Sequence, residues 1–184
     1  IHVAFAVVVD KNRQIIFSSG DPHYLTCIRS SLKPFQAAAS IKAGAVDLAN
    51  FNDKEIALMC ASHQGEKLHT DTAKSMLKKL GLMIEDFECG AHDPSDKNTR
   101  NNLIIAQKSA SQLHNNCSGK HAGMLALAKQ LGGKISGYTN IDHPVQKIIN
   151  EYISKISETE DLHCQTDGCS APTPFFTLET IAKM

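Results

Sequence analysis

The chain opens on strand-like runs and then turns to helical spacing. Ala4 to Val9 is a run of small and β-branched residues, "DKNR" follows as a turn, and "QIIFSS" reads as a second strand. That order predicts an opening β-hairpin. Beyond "GDPHY", Leu32, Phe35, Ala38 and Ala39 follow the 3.6-residue period, with Pro34 tolerable in a first turn and Gly44 as the stop. Asn52 with Glu55 three residues on has the form of a capping box before Ile56, Ala57, Leu58 and Met59. A helix is predicted from about Thr70 to Leu80, closed by Lys78, Lys79 and Gly81. Another is expected from Ser95 or Asp96 through Ala106 and Ala110. "CSGKHAGMLALAKQLGG" should enter a helix at about Gly119 and leave it at Gly132 and Gly133. Asp142 is expected to cap a helix with Pro144 near its first position, running to about Ile153. "SKISETEDLHCQTDGCSAPTP" reads as irregular, and a last helix is expected from about Phe175.

The pattern is mixed α and β, rich in helix, with no internal repeat or convincing linker. The 184 residues fit a single domain with a core that needs no staples. Nineteen basic and nineteen acidic side chains balance and form no stripe, which argues against nucleic acid and anionic membrane as partners. No apolar stretch is long enough to span a bilayer. The six cysteines are loosely spaced, and no secretory signal is evident. Free thiols in a reducing, cytoplasmic compartment are the economical reading. Both ends begin and stop inside element-like patterns, which suggests a shortened chain.

Three places could carry chemistry. In "RSSLKPFQ", Ser30 and Lys33 stand three apart where a helix starts, on one face. A desolvated lysine could take the serine proton as the hydroxyl attacks a carbonyl, or Ser30 could simply cap the helix with Lys33 in solvent. In "CASHQGE", Ser62 and His63 fit either a substrate-facing turn or an ordinary helix stop, with Cys60 in the core. In "HNNCSGKHAG", Cys117 and Lys120 repeat the three-residue spacing, and Cys169 lies in a stiff "TDGCSAPTP" loop. Two thiolates and a third donor could bind zinc, but there is no C-x-x-C pair, and buried free thiols explain the cysteines equally well. His121 is expected to pack near its own helix, with His92 and Asp93 in the turn before Pro94.

Taken together and in order, "RSSLKPFQ", "CASHQGE", "ECGAHDPSD", "LHNNCSGKHAGMLALAK", "DHPVQ" and "DGCSAPTPFFTL" resemble the L-asparaginase II family, the thermolabile, Rhizobium-type asparaginases. The resemblance runs along nearly the whole chain, and "NNCSGKHAGM" is its most specific part. It implies an α+β fold of the serine β-lactamase/glutaminase type, an antiparallel sheet packed with a helical region. Residues 1–184 would then be one domain, the N-terminal part of a longer family domain that is incomplete at its C-terminus.

The resemblance implies catalytic roles for Ser30, Lys33, Ser62 and Lys183. It also implies a zinc site built from Cys117, Lys120 and Cys169, a metal that would orient loops and substrate rather than supply hydroxide. The implied reaction is hydrolysis of L-asparagine to L-aspartate and ammonia through a serine acyl-enzyme, in a cytoplasmic protein for which a homodimer is allowed. The chain departs from the family pattern at Ala4, where glycine is usual, and at Gln64, where serine is common. Two rivals remain at this level. One is a β-lactamase-like serine hydrolase with another substrate, although S-D-N and K-T-G patterns are missing. The other is a non-catalytic, metal-binding fragment.

Overall fold

The computed structural model describes residues 2–184. The opening hairpin forms as the alternation requires: β1 (Ala6–Val9) pairs antiparallel with β2 (Ile15–Ser19), with an irregularity between Val8 and Val9. β3 (Leu25–Cys27) leads into a 3-10 turn over Arg29–Leu32 and then α1 (Lys33–Lys42), with Pro34 in its first turn. A short α2 (Ala45–Leu48) follows Gly44, and then come α3 (Asp53–Cys60), α4 (Lys67–Leu80), α5 (Lys97–Ile105), α6 (Ser118–Gln130) and α7 (Pro144–Ser157). The chain closes with β4 (Cys164–Thr166), β5 (Pro172–Thr177) and α8 (Leu178–Lys183).

The fold class expected from the resemblance has to be corrected. The described residues hold two small open antiparallel sheets, the β1–β2 hairpin and a three-stranded β3–β5–β4 sheet, rather than one sheet of the β-lactamase/glutaminase kind. The bulk of the core is helical. α6 lies at its centre, against α1, α2, α3 and α4. Every residue from Ser118 to Ala128 is buried, so α6 has no solvent face and no amphipathic stripe. α4 turns Ala73, Met76, Leu77 and Leu80 inward at helical spacing, and α7 does the same with Val145, Ile149 and Ile153. No helix among the described residues is long and apolar enough to cross a membrane.

The C-terminal stretch departs from its expected helix. Phe175 and Phe176 are strand residues, paired with Cys27 and Thr26, and the helix starts only at Leu178. The partner strand lies about 150 residues earlier, too far for a local pattern to reveal. The expected cap at Asp142 also moves by one residue: His143 Nδ1 accepts from the Val145 N–H at 3.2 Å.

The Asn52–Glu55 capping box forms on both sides, with Asn52 Oδ1 accepting from Glu55 N at 3.1 Å and Glu55 Oε2 accepting from Asn52 N at 2.8 Å. Glu55 is 1% exposed. Burial alone would push its carboxyl up, but donation from Lys79 Nζ at 2.7 Å, Asn52 N and Ser75 Oγ outweighs that and holds it below the usual carboxylate range. The stabilisation is therefore present above the unfolded value of 4.5 and is lost as pH falls through the lower folded value. Glu55→Ala is expected to cost about 3 kcal/mol in urea unfolding at pH 7, because Lys79 loses its buried partner. The difference from wild type should shrink as the measurement is taken into acid.

Candidate active site

The densest polar region is built by the residues leading into α6. Asn115 braces the approach: its Nδ2 donates to Cys89 O at 2.8 Å and Gly90 O at 3.1 Å, and its Oδ1 accepts from Cys117 N at 2.9 Å. Asn116 is the hub. Its N–H donates to His92 Nε2 at 3.0 Å and its Nδ2 to Ser62 Oγ at 3.1 Å. Its carbonyl accepts from Lys33 Nζ at 3.1 Å and from His63 N at 3.3 Å. One residue thus ties the starts of α1 and α6 to the loop after α3.

His63 is locked in the same network. Its Nδ1 accepts from Gly65 N at 3.1 Å, so Nε2 carries the proton and donates it to Ser118 Oγ at 2.8 Å. Burial, with neighbouring cations, lowers its pKa to about 3, which keeps it neutral. Lys33 is 1% exposed. Desolvation pulls its ammonium below the ordinary lysine value, and the nearby Cys117 only partly opposes that.

Ser30 is exposed and lines a polar cleft of about 220 Å³ together with Arg29, His92, Asn116, Cys117, Asp167 and Cys169. Ser62 reaches the same region through Asn116. Lys183 does not line the cleft; its Nζ donates to Glu179 Oε1 at 2.5 Å on α8.

The sulfur atoms lie on the cleft floor. Lys120 Nζ donates to Cys169 Sγ at 3.0 Å, and Cys117 Sγ donates to Asn116 Oδ1 at 3.3 Å. Cys169 is driven down, first by its neighbour Cys117 and then by His121 and Lys120. Cys117 is driven up, first by its neighbour Cys169 and then by burial. His121 Nδ1 accepts from Tyr138 Oη at 2.8 Å, while its fully buried Nε2 has no hydrogen-bond partner.

Two non-glycine residues are held in left-handed backbone conformations here, Arg29 in the cleft at φ 50° and Ser170, next to Cys169, at φ 69°. Such geometry costs about 1 kcal/mol per residue and is retained where the surroundings impose it. Arg29 Nη2 meets Asp167 Oδ1 at 3.0 Å across the rim, which places a cation and an anion side by side over the polar floor.

A profile of the L-asparaginase II family matches residues 1–184. The chain belongs to the L-asparaginase II family. It is accordingly a hydrolase of the amidohydrolase kind. No curated protein matches the chain. The expectation of a shortened member gains no support from a family match that covers every residue.

Within this family member, two expectations have to be corrected. The serine acyl-enzyme has no footing, because family membership supports an asparaginase-like hydrolase without singling out a serine. Lys183 donates to Glu179 away from the cleft, and Lys33 donates to the Asn116 carbonyl rather than to either hydroxyl. The rival β-lactamase-like serine hydrolase falls with it.

The zinc expectation is corrected as well. Among the described residues no three His, Cys, Asp or Glu side chains converge to hold a metal ion. At Cys117, Lys120 and Cys169 the donor set stops at two sulfurs, and the third member points its amine at Cys169 as a hydrogen-bond donor. These residues do not fit a zinc centre, and the metal-binding fragment reading goes too.

Arg29, His92, Asn116 and Asp167 were not singled out as site residues by the sequence. The paired asparagines before Cys117 were the available signal for Asn116. His92 looked like a turn residue, and nothing local joins Arg29 to Asp167.

Proposed function

We propose that this protein hydrolyses the side-chain amide of free L-asparagine, giving L-aspartate and ammonia, in the cleft between Arg29, Asn116 and Asp167. The supporting observation is the pairing of a charged rim with a buried lysine directly behind the polar wall. A free amino acid carries a carboxylate and an ammonium on one carbon. Arg29 can take the first and Asp167 the second, each exchanging its partner across the rim for one on the substrate. The carboxamide then points to the floor, where Ser30, Asn116 and the Ser62-bound amide of Asn116 supply hydrogen-bonding groups.

Amide hydrolysis requires a proton to leave the attacking oxygen and another to reach the departing ammonia. Lys33 suits both steps, because burial brings its amine closer to neutrality than an exposed lysine. The neutral amine accepts the first proton, and the ammonium so formed returns it to the leaving nitrogen.

The reading is tested by ammonia release from L-asparagine, N-acetyl-asparagine and asparagine methyl ester. Wild type should turn over the free amino acid and discriminate strongly against both blocked forms. Arg29→Gln is expected to raise KM for asparagine about 10-fold to 100-fold, the worth of one charge-assisted hydrogen bond, with kcat changed much less. Equal turnover of the blocked forms would remove the rim from recognition, and no ammonia from asparagine would remove the function.

A further inference from the structure

We propose that His92 is a positioning residue of this site: its imidazole holds the Asn116 main chain, and through Asn116 the Lys33 amine, in place against the substrate amide. The effect on rate rests on the amide-hydrolysis reading, whereas the contact itself does not.

A histidine in a plain surface turn leaves its outer ring nitrogen to water. Here both nitrogens are engaged. Nδ1 lies 2.8 Å from the Asp93 carbonyl oxygen, which can only accept, so Nδ1 carries the ring proton. Nε2 of the neutral ring is then an acceptor, and it takes the Asn116 N–H at 3.0 Å. Asn116 Oδ1 also lies 3.4 Å from Nε2, but two acceptors do not bond, so the main-chain N–H is what this nitrogen holds. Oδ1 receives the Cys117 thiol instead, at 3.3 Å.

The ring is exposed on the cleft, yet the loop that carries it is anchored on both flanks. Before it, Asn115 Nδ2 donates to Cys89 O and Gly90 O. After it, Pro94 is buried against Gly65, where an added Cβ would lie 2.7 Å from Pro94 Cβ. Asp96 N then donates to Gln64 O at 3.1 Å. A turn tied down on either side presents its middle residue at a fixed place.

What His92 fixes is the orientation of Asn116 about its own Cα. The carbonyl side is held by Lys33 Nζ and His63 N, and the side chain by Ser62 Oγ. The N–H side is held by the imidazole. Without that acceptor the N–H turns to water in the cleft, and the residue rotates, carrying with it the carbonyl that seats Lys33. A displacement near 1 Å at an acid–base group is worth about 100-fold in rate.

The test uses the whole chain and three substitutions. Glutamine carries an acceptor oxygen about as far from the backbone as Nε2, asparagine reaches only as far as Nδ1, and leucine has no acceptor. His92→Gln should keep kcat for ammonia release from L-asparagine within about 3-fold of wild type, whereas His92→Asn and His92→Leu should lose about 10-fold to 100-fold. KM should stay within about 3-fold in all three, because the Arg29–Asp167 rim is untouched, and the urea midpoint should not follow kcat. Two readouts need no substrate. Nitrogen chemical shifts at neutral pH should show His92 protonated at Nδ1 and bare at Nε2. The Asn116 amide should exchange slowly with solvent in wild type and His92→Gln, and fast in His92→Leu.

Equal activity of His92→Gln and His92→Leu, or a loss carried by KM or by the urea midpoint, would overturn the positioning role. The opposite tautomer, or a fast-exchanging Asn116 amide in wild type, would overturn the contact itself. Wild type that releases no ammonia while showing the expected tautomer and exchange would remove the asparagine reading and leave the hold on Asn116 standing.

Discussion

Lys33→Met is expected to lower kcat/KM for ammonia release about 1,000-fold, within the range that loss of an acid–base group produces. The effect should fall on kcat, since the rim that holds the amino acid is untouched. Lys33→Arg should be no better, because a guanidinium stays charged and cannot accept the proton. The same change should make the fold more stable, by about 1 kcal/mol in urea unfolding, because a nearly fully buried lysine is replaced by an apolar chain of similar length. Lost activity with gained stability separates a catalytic lysine from a structural one. Retention of more than a tenth of the activity in Lys33→Met would end its role.

The pH dependence has a defined sign. Burial lowers the folded pKa of Lys33 below the ordinary 10.5, so the reactive neutral amine accumulates as pH rises and kcat/KM should climb to a plateau below the usual lysine range. Stability moves the same way. Between the folded and unfolded values the unfolded chain binds more protons, so the unfolding free energy gains from Lys33 as pH rises through that window. Glu55 acts at the other end, contributing above its unfolded value and losing its contribution in acid. Lys33→Met should flatten the alkaline limb of the activity profile while leaving the acid loss of stability in place.

Most helices were legible because each carries its own punctuation. The capping box at Asn52 and Glu55 and the Lys78–Lys79–Gly81 stop are local patterns, and the structure reproduces them with the cap geometry intact. The sheet was not legible to the same degree. β4 and β5 are three and six residues long, contain Pro172 and Pro174, and acquire strand character from pairing with each other and with β3. The β4–β5 pairing is local, but no short window of sequence contains the pairing of β5 with β3. The single sheet implied by family resemblance failed for the same reason, since sheet connectivity is set by distant partners.

The candidate site divides along similar lines. Reactive side chains stood out by type, and Ser30, Ser62, Cys117, Lys120 and Cys169 do gather near one cleft. Their pairings did not stand out. Spacing alone suggested Lys33 with Ser30, but the buried amine takes the carbonyl of Asn116, which only the approach of α6 to α1 provides. A hub of this kind works through its backbone as much as its side chain, and a backbone carbonyl leaves no mark on the sequence.

Gly119→Ala should lower stability by about 3 kcal/mol in urea unfolding, although alanine is the better helix former by about 1 kcal/mol. The reason is the packing of α6 on α3. A Cβ at Gly119 would meet the backbone of Leu58, with the carbonyl carbon at 2.6 Å and its oxygen nearer still. Backbone cannot step aside as a side chain can, so the helices must separate. Gly123, one turn on, is the internal control. Its Cβ would meet Met59 Cε at 2.5 Å, the end of a flexible side chain that can change rotamer. There the helix-propensity gain offsets the repacking, and Gly123→Ala should stay within about 1 kcal/mol of wild type. The site should report the same difference. Separation of α6 from α3 displaces Asn116 and Cys117 relative to Ser62, and a shift near 1 Å is worth about 100-fold in rate. Gly119→Ala should therefore lose ammonia release even in the fraction that remains folded, while Gly123→Ala keeps it. Equal stability of the two variants would mean that α6 does not rest on α3 through Gly119, and the placement of the cleft would fall with that contact.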